Sequence, residues 1–280
     1  MKIFRTNAGT IIEHKDGQSL IPHHDWDELF RQDDLQSYLE QQINSADAAN
    51  RNAAPISPVS GQEIWAAGVT YFRSRDARMS ESEQAGGGDF YDRVYAAERP
   101  ELFYKGSART VAHPQGSVYI RADSAWNVPE PELVLAIDNS GRIFGYTIGN
   151  DMSSRDIEGE NPLYLPQAKI YDGSSSLGPG ILISNSTPDS STKICMEIVR
   201  EDVAIFSGIT TVGELKRTPQ DLVRYLCRHN SFPHGCFLMT GTGIVPPDNF
   251  TLQANDHIAI TIESIGILTN TVDTWSSIDD

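Results

Sequence analysis

From Ile64 onward the chain alternates short apolar runs with turns. IWAAGVTYF (64–72), SVYIRAD (117–123), ELVLAID (132–138), RIFGYTIGND (142–151), GPGILIS (178–184), KICMEIVRED (193–202), CFLMTGTGIV (236–245) and HIAITIESIGILTN (257–270) are strand-sized and rich in β-branched residues. Helical patterns are fewer. DWDELFRQDDLQSYLEQQI (25–43) opens on an aspartate and sets Trp26, Leu29, Phe30, Leu35, Tyr38, Leu39 and Ile43 near helical spacing. TPQDLVRYLCRHN (218–230) predicts a second helix, with Thr218 as cap, Pro219 in the first turn, and Leu222, Val223 and Leu226 facing inward. Residues 1–24 read as short strands joined by turns such as KDGQ (15–18). The stretch NSADAANRNAAPISPVSG (44–61) is small, polar and proline-containing, so a boundary is expected near residue 60. A small N-terminal domain and linker then occupy 1–60, and a larger strand-rich domain occupies 61–280.

Composition narrows the class. A chain of 280 residues with 39% apolar content can bury a sizeable core. The longest apolar runs fall far short of the roughly 20 residues of a membrane-spanning helix, and no membrane partner is expected. MKIFRTNAGTIIEHKDG carries no long apolar stretch and no small-residue cleavage site, so the expected location is cytoplasmic. With 22 basic against 38 acidic residues the formal charge is −16, which repels a phosphate backbone and argues against nucleic acid. The same field repels an anionic metabolite, so a site for one must supply local positive charge. Cys195, Cys227 and Cys236 are odd in number and unpaired in spacing, which suggests reduced thiols.

PEPELVLAID (129–138) places Glu130 and Glu132 at the mouth of an apolar run. In a strand, residues two apart point to one face, and two anions held there need water, a cation or a metal. Asp151 ends the next run, which can pair back on the first through the turn DNSG (138–141). Three carboxylates without a nearby histidine or cysteine make an oxygen-only set suited to Mg²⁺, Mn²⁺ or Ca²⁺. From spacing alone the acids read equally as solvated strand ends. Lys169 lies among small and apolar residues in LPQAKIYDGSSSLGPG (165–180), as either a surface lysine or a partly buried one that contacts a carboxylate. MTGTGIVPP (239–247) offers threonines and backbone N–H groups to an anion. Glu101 and Lys105 share a face of RPELFYKGSART (99–110) whether it is helix or strand. CRHNSFPHGC (227–236) gathers Cys227, His229, His234 and Cys236 in ten residues, a spacing that matches no common zinc site. GGG (86–88) lies in a polar stretch and could serve as a lid or only as a loop.

Taken in order, EPE with its apolar strand, GYTIGNDMSSRD, QAKIYDGSSSLGPGILI, TGTGIVPP and IESIGILTN resemble the fumarylacetoacetate hydrolase superfamily from about residue 64 to 272. The resemblance implies an α+β, mostly β fold: a mixed β-sheet roll of that family's C-terminal type, preceded by a small N-terminal domain, with a divalent-metal site at its mouth. It implies Glu130, Glu132 and Asp151 as metal ligands, Mg²⁺ being usual and Mn²⁺ or Ca²⁺ the alternatives. It implies Lys169 and Thr242 as substrate contacts, and Ser153 and Lys105 join them as candidates. Hydrolases of the family carry a histidine and a glutamate shortly after an N-Y dipeptide. In VTYFRSRDARMSES (69–82), Ser74 and Ala77 stand where those residues would be. Without that pair, water-driven C–C cleavage lacks its general base. TYFRSRDARMSES and YDRVYAAERPELFYK instead resemble the sugar-acid branch, which places Glu101 at the active site. The expected activity is a metal-dependent hydro-lyase acting on a 2-keto-3-deoxy sugar acid, such as 2-dehydro-3-deoxy-D-arabinonate, to give a dioxo acid such as 2,5-dioxopentanoate. Glu101 and Lys169 are the candidates for the proton work. The alternative is C–C hydrolysis of an acylpyruvate-type acid, with Glu81, Glu83 or Glu98 as base; a non-catalytic metal-binding protein is the third reading. The substrate is a small anionic oxo acid, and the family resemblance implies a homo-oligomer, dimer or tetramer.

Overall fold

The computed structural model describes residues 1–45, 47–48, 53–73 and 88–275. Its strands are Lys2–Thr6 (β1), Gly9–His14 (β2), Gly17–Pro22 (β3), Asp47–Ala48 (β4), Glu63–Gly68 (β5), Glu101–Ser107 (β6), Val111–Ala112 (β7) and Ser117–Ile120 (β8). They continue with Asn127–Ile137 (β9), Ile143–Ser154 (β10), Ser175–Ile183 (β11), Lys193–Arg200 (β12), Val203–Thr211 (β13), Cys236–Met239 (β14), His257–Ile262 (β15) and Gly266–Thr274 (β16). The α-helices are Leu35–Ser45 (α1), Gly88–Ala96 (α2), Arg155–Glu160 (α3), Leu165–Lys169 (α4) and Pro219–Leu226 (α5).

Two mixed sheets carry the fold, which is α+β and mostly β. The larger runs β4-β3-β2-β1-β11-β10-β9-β14-β5-β6, with β7 added beside β11, and the smaller runs β13-β12-β15-β16-β8. β9 and β10 lie near the middle of the larger sheet and pair antiparallel along their whole length through the turn at Asp138. Leu133, Leu135 and Ile137 of β9 pack toward Ile194, Met196, Ile258 and Ile260 of the smaller sheet. Val134 and Ala136 face the other way, onto Trp26, Leu29, Phe30 and Leu39. Burial on both faces explains why β9 reads as a continuous apolar run rather than an alternating one.

The first 24 residues add β1, β2 and β3 to the same sheet, β1 pairing antiparallel with β11. Ile3 and Ile12 share a core with Val134, Leu177 and Phe237. The two segments that composition separates near residue 60 are therefore joined by one sheet and one core.

The helix expected over 25–43 forms in two pieces. Asp25 accepts from Asp27 N and caps a 3₁₀ turn over Trp26–Arg31, and the chain becomes extended at Gln32. Asp34 then accepts from Ser37 N at 3.0 Å and from Ser37 Oγ at 2.6 Å, restarting the chain as α1. Two side chains that cap well divide one periodic stretch. The helix expected over 218–230 forms over Pro219–Leu226 and stops at the Cys227 cap, with Asp221 N donating to Thr218 Oγ1 at 3.1 Å and Leu222, Val223 and Leu226 buried. RPELFYKGSART, ambiguous in the sequence, is strand β6. β13 was not expected: it is an edge strand whose residues are mostly exposed, so no clean alternation marks it. No helix among the described residues is long and apolar enough to cross a membrane.

Candidate active site

The register of β9 against β10 assembles the acids. Glu130 pairs with Asp151 and Glu132 with Gly149, so all three carboxylates leave the same face at the same end of the pair. Their ligand oxygens lie within 4.8 Å of one another. Glu130, Glu132 and Asp151 are 5%, 1% and 1% exposed, which rules out solvated strand ends. Burial pushes the Glu132 carboxyl well above the usual carboxylate range. Asp151 and Glu130 push it the same way, against Lys169 and the Gly241 N–H.

Three buried cations meet the acids. Lys169, at the end of α4, donates to Glu130 Oε2 at 2.7 Å, Asp151 Oδ2 at 3.1 Å and Ser153 Oγ at 2.5 Å. Arg155 Nη2 donates to Glu130 Oε1 at 2.6 Å. Lys105 Nζ lies 2.9 Å from Asp151 Oδ1 and donates to the carbonyls of Ser174 at 2.8 Å, Met152 at 3.3 Å and Lys169. Burial draws the Lys105 pKa down while Asp151 opposes the shift. The three carbonyls match the three N–H donors of an ammonium, and Asp151 Oδ1 faces it as the counter-charge.

Gly241 closes the other side, its N–H donating to Glu132 Oε2 at 2.5 Å. Its φ is +90° and a Cβ would stand 2.0 Å from Thr70 Oγ1, so only glycine brings this N–H to the carboxylate. Thr242 follows, 3% exposed, with its hydroxyl accepting from Ile244 N at 3.1 Å. Glu130, Glu132, Asp151, Lys169 and Thr242 line a cavity that leaves about 10 Å³ to a water-sized sphere. Gly68, Val69 and Phe103 form its wall. Glu101 pairs with Gly68 across β5 and β6, and its carboxylate lies over the face of Gly68 that a side chain would otherwise fill. That places Glu101 beside the cavity wall, sharing a strand face with Phe103. Ser153 reaches the cavity through its bond from Lys169. Lys105 does not line the cavity: its ammonium is enclosed by carbonyls and Asp151, away from the place expected of a substrate contact.

The donor set is oxygen-only and hard, and its atoms converge closely enough for one divalent cation of the Mg²⁺, Mn²⁺ or Ca²⁺ kind. It is the sole convergent group of three or more potential ligands among the described residues. Cys227, His229, His234 and Cys236 do not form one. Cys236 is buried in β14, Cys227 caps α5, and His234 Nδ1 accepts from Arg31 Nη2 at 3.0 Å. Glu98, a candidate base for the alternative reaction, accepts from the Tyr225 hydroxyl at 2.7 Å. Ser74, Ala77, Glu81, Glu83 and the first two glycines of GGG lie outside the described residues. Two contributors were not singled out in the sequence: Arg155, although it sits in the quoted SSRD segment, and the Gly241 N–H, which has no side-chain signal at all.

Residues 64–273 match the family described as fumarylacetoacetate hydrolase, C-terminal. The chain is 44% identical over 243 residues to the "Probable 2-keto-3-deoxyxylonate dehydratase" of Haloferax volcanii, covering 86% of this chain and 83% of that one. It is 42% identical over 240 residues to the 2-dehydro-3-deoxy-D-arabinonate dehydratase of Saccharolobus solfataricus, covering 84% and 78%. A solved 2-keto-3-deoxy-D-arabinonate dehydratase, complexed with magnesium and 2,5-dioxopentanoate, superposes with a TM-score of 0.82 at 31% identity over 99% of this chain and all of that one. With the matched motifs, the two-sheet fold and the acid triad in register, the chain belongs to the fumarylacetoacetate hydrolase family.

Proposed function

We infer that the protein is a Mg²⁺-dependent hydro-lyase that removes water from a 2-keto-3-deoxy sugar acid, such as 2-dehydro-3-deoxy-D-arabinonate, to give 2,5-dioxopentanoate or its homologue. The observation that carries this reading is the buried, convergent Glu130–Glu132–Asp151 triad with Lys169 donating into it. Similarity to two dehydratases of this substrate class supports it. Residues 61–280 supply every side chain of the proposed site.

Glu130, Glu132 and Asp151 would hold the metal, whose Lewis acidity supports the negative charge that develops on a 2-oxo group when a C3 proton leaves. Lys105, Lys169 and Arg155 already balance the three acids, so a bound divalent ion leaves the pocket net positive. This admits a small anionic oxo acid to a chain of formal charge −16. Thr242 and its turn hold the substrate carboxylate, with Ser153 and Lys169 beside it. Glu101 and Lys169 handle the two proton transfers, one at C3 and one at the departing 4-hydroxyl. Supplying the metal-stripped protein with 2-keto-3-deoxy-pentonates and -hexonates, with and without Mg²⁺, tests the reading. Metal-dependent loss of one water, seen by mass spectrometry, is expected; two carbon fragments would make the protein a hydrolase or aldolase instead.

The protein is further proposed to act as a cytoplasmic homo-oligomer, dimer or tetramer. Its three free cysteines support a reducing compartment. Edge strand β13 supports the assembly: VAIFSGITT has no charged residue, and Val203, Ile205 and Ile209 are 61%, 37% and 55% exposed. An uncharged edge of that kind invites pairing with a second copy. A monomer by sedimentation at working concentration overturns this part.

A further inference from the structure

Lys105 is the buried charge that the reaction does not use. β5 and β6 slip register between Ile64–Trp65 and Gly106–Tyr104, which leaves Lys105 as the extra residue of a bulge. A bulge re-aims a side chain, and this one runs inward to full burial. Its ammonium spans three separate pieces of the site: Asp151 Oδ1 at 2.9 Å and Met152 O at 3.3 Å on β10, the Lys169 carbonyl at the end of α4, and Ser174 O at 2.8 Å before β11. The Oδ2 edge of Asp151 is left toward Lys169 and the cavity.

We propose that Lys105 is a positioning residue of the metal centre, fixing the outer edge of Asp151 and tying the segment that carries Lys169 to the strand that carries the metal ligand. The inference rests on the reading of Asp151 as a ligand. It separates from two plainer roles. A simple structural plug would affect folding stability and leave the metal affinity of the folded molecules unchanged. A simple neutralising charge would, when removed, leave the site more negative and tighten metal binding. A positioning residue, when removed, weakens it.

The test is Lys105→Met in the full chain, stripped of metal and titrated with Mg²⁺ by calorimetry, with circular dichroism establishing the folded fraction. Metal binding is expected to weaken about ten- to a hundredfold, as for other groups that orient a ligand. At saturating metal the KM for the oxo acid is expected to change by a smaller factor than the metal affinity, because Lys105 does not line the cavity and acts on the substrate only through its charge and the Lys169 segment. Unchanged or tighter metal binding overturns the proposal, and so does a raised KM with unchanged metal affinity. If Lys105→Met does not fold, the wild-type protein with ¹⁵N-labelled lysine serves, with the Lys105 and Lys169 ammonium signals told apart by Lys169→Met. The Lys105 signal is expected to move on adding Mg²⁺ and to stay put on adding pyruvate, a small 2-oxo acid. A signal indifferent to Mg²⁺, or one that follows pyruvate, overturns the proposal. Wild-type protein that takes up no Mg²⁺ overturns the metal reading itself, which keeps the two failures distinct.

Discussion

Two polar clusters stand out along this chain, and they end in opposite ways. Cys227, His229, His234 and Cys236 are packed into ten residues, yet they scatter over a helix cap, a turn and a buried strand. Glu130, Glu132, Asp151 and Lys169 span forty residues, yet the three carboxylates converge to within 4.8 Å and Lys169 donates to two of them. Nearness in sequence counts for little where a chain turns. Here Gly235, with φ +70°, separates His234 from Cys236. Strand register, by contrast, carries side chains far apart in sequence to one point, because antiparallel partners oppose each other pair by pair.

The largest test of this contrast is Glu132→Gln, which removes one ligand from the convergent cluster. Turnover should fall about 10³-fold, the rate equivalent of about 4 kcal/mol of lost electrostatic stabilisation, and the Mg²⁺ isotherm should vanish. Full activity of this variant in the presence of chelator would refute the metal site. Lys169→Ala should cost about a hundredfold in kcat/KM, as loss of a proton-transfer group or carboxylate contact. Because it leaves Glu130 with Arg155 alone and Asp151 with Lys105 alone, thermal stability should fall in the metal-free protein.

Acidity gives a third, smaller test. The Glu132 carboxyl is raised, first by burial and then by Asp151 and Glu130, so between the ordinary value of 4.5 and its raised value the folded state binds more protons than the unfolded one. Stability of the metal-free protein should therefore decline as pH rises through that window, and be fullest below it. Mg²⁺ needs the carboxylate, so its affinity should climb over the same window, with up to one proton released per ion. Melting in EDTA across pH, with Glu132→Gln flattening the slope, measures this. The smallest expected effect is at the other cluster. His234→Ala removes an exposed hydrogen bond with Arg31 and should shift stability by about 0.5 kcal/mol, with metal stoichiometry unchanged.

Much of the site was legible because strand chemistry is local. Glu130 and Glu132 two apart on a proline-punctuated run, a turn, and an aspartate at the end of the next run specify one face and one end. Lys169 could be recognised by motif, but its burial, with 1% left exposed, could not. Arg155 carries no signal of burial in the sequence, because a charge at the start of a helix is usually solvated. Lys105 is absent from the cavity lining, and the sequence does not show the bulge that aims it: one inserted residue in β6 changes which wall its side chain crosses. β13 was missed because an exposed edge strand has no buried face to impose alternation. The 25–43 stretch was read as one helix because periodicity registers apolar positions and overlooks the cap at Asp34 that restarts it.

By itself, then, the sequence determined the strand-rich fold, the candidate acid triad with the hard divalent metal it suits, and the local positive charge that any anion site on a −16 chain requires. These follow from residue type, period and motif order, which act over a few neighbours. Only the tertiary structure decided which cations serve the triad, that Gly241 supplies an N–H to Glu132, that Lys105 stands behind Asp151, and that the cysteine–histidine cluster disperses. Each of those depends on register and crossing between segments tens of residues apart, where a slip of one residue sends a side chain to the other face.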